Sequence, residues 1–217
     1  MALAIFDLDN TLISDDSDYL WGQFLIEIGV VDGAYYEREN QRFYDEYKNG
    51  TLDIMAFLAF SLKPLADNPI ETLKQWRTEF FKQKIKPNLL STAMTIVEQH
   101  KTDGDHVMII TATNSFVTRP IADAYGIETL IATEPEWDGH QYTGRVSGIP
   151  CFQSGKVKRL EQWLLKNNQP MDGSYFYSDS HNDLPLLKKV THPIAVDADE
   201  KLTTAAIERN WRQISFR

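Results

Sequence analysis

Near the start of the chain two aspartates and a hydroxyl occupy alternate positions, Asp7-Leu8-Asp9-Asn10-Thr11, just after the apolar run Ala4-Ile5-Phe6. Alternate side chains of a strand share a face, so both carboxylates would leave the strand end on the same side. Two such charges about 4 Å apart repel by roughly 4 kcal/mol at an effective dielectric of about 20. The pair therefore needs a cation, a shared proton or separation by water, and a cation is the working reading. Taken alone, the stretch is read equally well as a strand running into an acidic surface turn.

More chemistry-bearing residues follow at two later places where an apolar run stops. Val107-Met108-Ile109-Ile110 ends at Thr111-Ala112-Thr113-Asn114, and Ser174-Tyr175-Phe176-Tyr177 ends at Ser178-Asp179-Ser180-His181-Asn182-Asp183. Lys156 opens a helical pattern marked by Val157, Leu160 and Leu164. Each residue has a plainer reading. Lys156 alone is a solvated helix-start lysine, Asp179 and Asp183 an acidic turn before the helix at Leu184, His181 a solvated loop histidine and Cys151 a packed thiol. Their order and spacing as a set favour the functional reading.

The elements that must position them alternate. A helix is expected from about Leu89 to His100, one beginning close to Pro120 and ending at Gly126, a short strand at Leu130-Ile131, and a hairpin about Trp137-Asp138-Gly139-His140. After Lys156 come the strand 174–177, a helix from Leu184 to Val190, a strand Pro193-Ile194-Ala195-Val196 and a helix from Leu202 to Arg209. Such alternation implies an α/β fold, a mostly parallel sheet with helices on both faces. Ligands of these sheets bind beyond the carboxyl ends of the strands, where all four stretches would meet.

About a hundred residues separate Asp7 from Thr111, far more than a strand-helix-strand crossover needs. Within them Trp21, Phe24, Leu25 and Ile28, then Tyr36, Phe43 and Tyr47 up to Gly50, then Ile54 to Leu62, then Leu73, Trp76 and Phe80 repeat at helical spacing. Residues 14–88 are thus expected to be an all-helical domain inserted above the end of the first strand, with 1–13 and 89–217 forming the α/β domain. The aromatic stripes are read as the seam of a small bundle rather than a ligand cage.

A chain of 217 residues, 42% hydrophobic and 24% charged, suits a soluble globular protein. Its net charge of -9 and lack of a basic run argue against a nucleic-acid partner. No apolar run approaches a membrane span, and Asp7 interrupts the start before it could serve as a signal peptide, so a cytoplasmic protein is expected. The single cysteine forms no internal disulfide.

Asp7-x-Asp9-x-Thr11, the strand ending at Thr111, Lys156, and Asp179 with Asp183 resemble the four ordered motifs of the haloacid dehalogenase superfamily of phosphatases. The resemblance spans the chain and implies a Rossmann-like core with a helical cap of the phosphoserine-phosphatase type. Ile110-Thr111-Ala112-Thr113-Asn114 and Phe176-Tyr177-Ser178-Asp179-Ser180 resemble a bacterial branch of which some members act on histidinol phosphate. Ser178 departs from the pattern, since relatives usually carry glycine there. Carried over by position, Asp7 would be the nucleophile and Asp9 the acid and base. Asp7, the Asp9 carbonyl and Asp179 would hold Mg2+, and Thr111, the Ala112 amide, Lys156 and Asn182 would bind phosphate. Asp183 would support Lys156 or a metal-bound water. Adjacent acids in unlike environments can be split into one ionised and one protonated group, as such chemistry requires.

In phosphoserine phosphatases a cap glutamate holds the substrate's ammonium, and the matching position here is Asp16. Those enzymes also carry a cap arginine for the substrate carboxylate; the matching region here, Ala56-Phe57-Leu58-Ala59-Phe60-Ser61, has none. A buried carboxylate without a cation is costly, so the expected substrate is a small amino-alkyl phosphate such as histidinol phosphate, ahead of phosphoserine. A phosphotransferase or mutase, and a non-catalytic module of this fold, are the rival classes.

Overall fold

The computed structural model describes residues 2–217. Seven strands form one sheet in the order β4-β3-β2-β1-β5-β6-β7. They are β1 (Leu3–Phe6), β2 (His106–Asn114), β3 (Thr129–Trp137), β4 (Tyr142–Ser147), β5 (Tyr175–Ser178), β6 (His192–Val196) and β7 (Arg212–Ile214). All neighbours run parallel except β3 and β4, which form the hairpin expected around Asp138-Gly139. The Asp138 carboxylate accepts from the amides of His140 and Gln141 and so closes the turn.

The central strand shows why the sheet is covered on both faces. Leu3 and Ile5 pack with Met108, Ile110 and Phe176 in one core, whereas Ala4 and Phe6 pack with Ile109, Tyr177 and Val196 in the other. All four β1 side chains are buried, as a strand sandwiched between helical layers requires. The first core is closed by α8 (Ser154–Asn167), α9 (Leu184–Leu187) and α10 (Glu200–Glu208), through Leu160, Leu187 and Leu202. The second is closed by α6 (Ser91–Thr102) and α7 (Ser115–Ala124), through Val97 and Ile121.

Between β1 and α6 lie five helices: α1 (Ser17–Glu27), α2 (Gly33–Asn49), α3 (Ile54–Ser61), α4 (Lys63–Asp67) and α5 (Ile70–Phe80). Asp16, Asp32 and Asp53 cap the first three, each carboxylate accepting amides of the following turn. Trp21 meets Phe80 edge-on at 5.1 Å, and Phe43 meets Phe57 and Phe60, each at 5.3 Å. The chain leaves and re-enters the sheet region side by side: Ser14 donates to the Asn88 carbonyl, Leu90 donates to that of Leu12, and Ile13 pairs with Leu89.

Several expectations shift. Strand β2 continues through Thr111-Ala112-Thr113 to Asn114 with a break in register after Ile110, because polar residues stay extended there. Helix α9 stops at Leu187 rather than Val190, and α4 and β7, of five and three residues, are too short for a hydrophobic period to announce them. Helix α7 begins at Ser115, capped by the Asn114 side chain, so Pro120 stands inside it and not near its start. A proline there leaves the carbonyl four residues back without its helical donor. That carbonyl, Phe116 O, accepts instead from Arg77 Nη1 of α5 at 3.1 Å, and the guanidinium lies over the Phe116 ring.

Candidate active site

The strand ends converge. Asp7 follows β1, is 3% exposed and donates its amide to the Tyr177 carbonyl of β5. Lys156, in the first turn of α8 and 2% exposed, places its Nζ 2.9 Å from Asp7 Oδ1 and 2.8 Å from Asp183 Oδ2. The close start of α8 depends on Gly155, since a Cβ at that residue would fall 2.0 Å from the Pro150 carbonyl oxygen. Asp183 also accepts from the buried Ser178 hydroxyl at 2.7 Å, and the Ser178 oxygen in turn accepts the Ser180 amide. The serine that departs from the family pattern thus holds the carboxylate that holds the lysine.

Asp9 is set differently. Its carboxylate accepts the Ser17 amide at 2.7 Å and the Thr113 hydroxyl at 2.8 Å, with the Thr111 hydroxyl at 3.4 Å. Among the described residues no cationic side chain bonds to it. Both aspartates are raised to about 7, chiefly by burial; Lys156 works against that rise at Asp7, and at Asp9 the charge of Asp16 adds to it while bonds from Ser17 and Thr113 work against it. The two neighbouring carboxyls thus sit in unlike surroundings, one on an ammonium and one on an amide and hydroxyls. Burial would lower the Lys156 ammonium, but Asp183 and Asp7 more than offset it and keep it charged.

A cavity opens over these groups, bounded on the sheet side by Asp7, Asp9, Thr111, Ala112 and Lys156. Helices α1 and α2 supply the opposite wall, including Asp16, Asp18, Tyr44 and Tyr47. Lys156 is the only basic side chain among the described residues lining it. Phe43 and Tyr47 of the expected bundle seam face this space, so part of that stripe is cavity wall after all. Asp16 Oδ1 caps α1 by accepting the Asp18 and Tyr19 amides at 3.0 and 2.9 Å, leaving its other oxygen for a ligand. Burial raises Asp16 to about 6, and burial together with Asp16 and Asp9 raises Asp18 well above the usual carboxylate range.

Three expected residues, Asp179, Asn182 and Asp183, stand apart from the cavity wall. Asp179 bonds with the Thr11 hydroxyl at 3.2 Å, and its carboxyl is raised by burial and then by Asp7 and Asp183. Asn182 lines a separate hollow, donates to the Tyr47 carbonyl at 3.0 Å and accepts from Gln153 at 3.0 Å, which leaves one N–H of its amide. Among the described residues no three His, Cys, Asp or Glu side chains form a closed metal cluster. The expected magnesium set nonetheless needs only two carboxylates and one main-chain carbonyl. The oxygen-only donors, with the charge of Asp7 raising Asp179, suit a hard divalent cation.

Sequence reasoning did not assign Ser17, Asp18, Thr113, Ser178 and Tyr47. Thr113 carried a signal, standing two residues after Thr111 at a strand end; the others depend on how α1, α2 and the loop after β5 come to rest.

Paired buried carboxyls, a buried lysine on one of them, and a mostly parallel sheet presenting both at its carboxyl ends are the marks of an α/β enzyme. The family profile of the haloacid dehalogenase-like hydrolases matches residues 4–188. The chain belongs to this family and is a phosphatase of the haloacid dehalogenase type. It is 44% identical to a histidinol-phosphatase of Neisseria meningitidis serogroup C (strain 8013) over 99% of both chains. A crystal structure of a Bordetella pertussis Tohama I protein described as of unknown function superposes with a TM-score of 0.94 at 43% identity, covering 100% of this chain and 99% of that one. A substrate-bound phosphoserine phosphatase superposes with a TM-score of 0.72 at 18% identity, over 100% and 93% of the two chains, which speaks to the fold.

Proposed function

We propose that the protein hydrolyses the phosphate monoester of a small amino alcohol, histidinol phosphate first among candidates, through an aspartyl-phosphate on Asp7. The observation that carries this reading is the contrast between Asp7, bonded to Lys156, and Asp9, bonded to an amide and a hydroxyl.

Lys156 occupies Asp7 Oδ1, so Oδ2 attacks phosphorus while the bond from phosphorus to the alkyl oxygen breaks. The Asp9 proton passes to that leaving oxygen. Asp9, now ionised, takes a proton from water as the water oxygen attacks phosphorus, releasing inorganic phosphate and Asp7 carboxylate. Thr111, the Ala112 amide and Lys156 bear on the phosphoryl oxygens, and the second N–H of the Asn182 amide would join them. Asp7, the Asp9 carbonyl and Asp179 would hold Mg2+, which when bound neutralises charge between nucleophile and phosphate. Asp183 and Ser178 keep the lysine in place.

Residues 14–88 act on this reading as a cap domain over a core of 1–13 and 89–217, joined where Ile13 and Leu89 pair. The cap presents Asp16 and Asp18 to the cavity with no Arg beside them. That wall suits a substrate with basic nitrogen and no carboxylate, which favours histidinol phosphate over phosphoserine. The name of the Neisseria relative supports the same choice. No helix of the described residues is long and apolar enough to cross a membrane. We place the enzyme in the cytoplasm, acting on a free metabolite.

Steady-state hydrolysis of the two esters in the presence of Mg2+ tests the reading. Histidinol phosphate should be turned over with the higher kcat/KM, Asp7→Asn should abolish activity, and a chelator should do likewise. Efficient turnover of phosphoserine with none of histidinol phosphate reverses the substrate assignment, and an active Asp7→Asn removes the nucleophile.

A further inference from the structure

The geometry points to Tyr47 as a further catalytic residue, its phenol donating a hydrogen bond to the phosphoryl group held over Asp7. This inference rests on the phosphatase site proposed above and adds to it a group from the helical side of the cavity.

Tyr47 lies in the last turn of α2, and three core groups hold that turn. Asn182 Nδ2 donates to the Tyr47 carbonyl at 3.0 Å, and Lys201 Nζ donates to the Asn49 carbonyl at 2.9 Å. Gly50, left-handed at φ 77°, ends the helix so close to the core that a Cβ there would stand 2.9 Å from His181 Nε2. With its main chain held by these bonds and its ring 6.0 Å from that of Phe152, the Tyr47 side chain lines the cavity. There the phenol meets the Ser180 hydroxyl and the charges of Asp7, Asp179 and Asp183. A phenol ordinarily titrates at about 10, so near neutral pH it is a neutral O–H donor.

The resting site already has more acceptors than donors, and an entering phosphate dianion adds further acceptors. Lys156 is the only basic side chain on the wall and is shared by two carboxylates, so the phosphoryl oxygens need uncharged donors as well. Thr111 and the Ala112 amide approach from the sheet; Tyr47 approaches from the opposite side, a direction those two do not cover. The other cavity phenols are differently occupied: the Tyr19 hydroxyl donates to Gln41, and the Tyr44 ring lies under the Lys48 ammonium at 4.3 Å.

Tyr47→Phe keeps the ring against Phe152 and the carbonyl bond to Asn182, so the fold is retained. A hydrogen bond to a charged group corresponds to about tenfold or more. The variant should lose about tenfold in kcat/KM on an aryl phosphate ester. Inorganic phosphate as a competitive inhibitor should weaken by a similar factor, with the thermal midpoint unchanged. Unchanged phosphate inhibition, or a lowered midpoint accompanied by unchanged phosphate inhibition, overturns the inference. Should that variant not fold, Lys201→Ala loosens the same turn from the exposed surface and should weaken phosphate at least twofold; unchanged inhibition there also overturns it. Asp7→Asn run alongside separates the two claims. An inactive Asp7→Asn with an unimpaired Tyr47→Phe sinks only the role of Tyr47, whereas an active Asp7→Asn sinks the site reading itself.

Discussion

Replacing Lys156 by methionine isolates the physics of the site from its chemistry. The side chain is 3% exposed, and its ammonium is the shared counter-ion of Asp7 at 2.9 Å and Asp183 at 2.8 Å. Methionine fills nearly the same volume, so packing changes little, but two carboxylates are left buried without a cation. Removing one partner of a buried ion pair costs about 3–5 kcal/mol, which for a chain of this size is roughly 6–20 °C in thermal midpoint. The cost depends on pH in a defined direction. Asp7, already raised to about 7 by burial, rises further without the lysine. A carboxyl whose folded pKa lies above its unfolded value stabilises the fold fully below the unfolded pKa and loses that contribution as pH rises through the folded one. The deficit of Lys156→Met against wild type should therefore be large at pH 8 and shrink towards pH 5. Urea unfolding at a series of pH values, with a chelator present so that no metal substitutes for the lysine, measures it. A deficit under 1 kcal/mol (about a fivefold change in the folding equilibrium) at pH 8, or one that grows on acidification, refutes the account of Lys156 as the charge that keeps Asp7 ionised.

Ser178→Gly removes a hydroxyl donor from buried Asp183; a hydrogen bond to a charged group predicts a loss of about 1.5–3 kcal/mol in urea unfolding near neutral pH. Asp18→Asn should raise KM for an amine-bearing phosphate by about tenfold while leaving an aryl phosphate nearly unaffected, because only the former presents a cation to that wall. Tyr36, Tyr125 and Tyr177 are each raised by burial to about 12 from the usual 10. Between those values the folded chain keeps protons that the unfolded chain releases, so stability should fall as pH climbs through that window, measurable as a declining urea midpoint.

What could be read in the sequence is what the sheet places. Asp7, Thr111, Lys156 and Asp183 come together because each stands at or just beyond a strand's carboxyl end or at the helix start beside it. A parallel sheet brings such ends together whatever the intervening chain does. The helical insertion could be inferred from the length between two strands, and the Asp-Gly turn from its chemistry. Pro120 misled because its rule concerns the donor that proline lacks, and takes no account of a donor supplied from elsewhere. Arg77, thirty-nine positions before Phe116, satisfies the carbonyl that proline leaves vacant, and nothing local to either residue announces the bond. The bond from Asn182 to the end of α2 is hidden for a similar reason: nothing local to residue 182 announces that the Tyr47 carbonyl will reach it.

This difference between sheet and helices bears on where the enzyme's selectivity resides. The groups beneath the phosphoryl position are fixed by ladders of main-chain bonds: β1 to β2, β1 to β5, and the Asp7 amide to the Tyr177 carbonyl. On the opposite wall α1 shares the apolar core through Trp21 and Phe24, but the end of α2 is held by single side-chain bonds, Asn182 to Tyr47 and Lys201 to Asn49. Single hydrogen bonds contribute about 1 kcal/mol each, well within the reach of thermal opening, whereas a ladder opens only with the sheet. On the proposed reaction its acids would be held on the more rigid side and the end of α2 would be the more yielding part of the wall that meets the substrate. Substitutions in α1 and α2 should accordingly change which ester is hydrolysed before they change how.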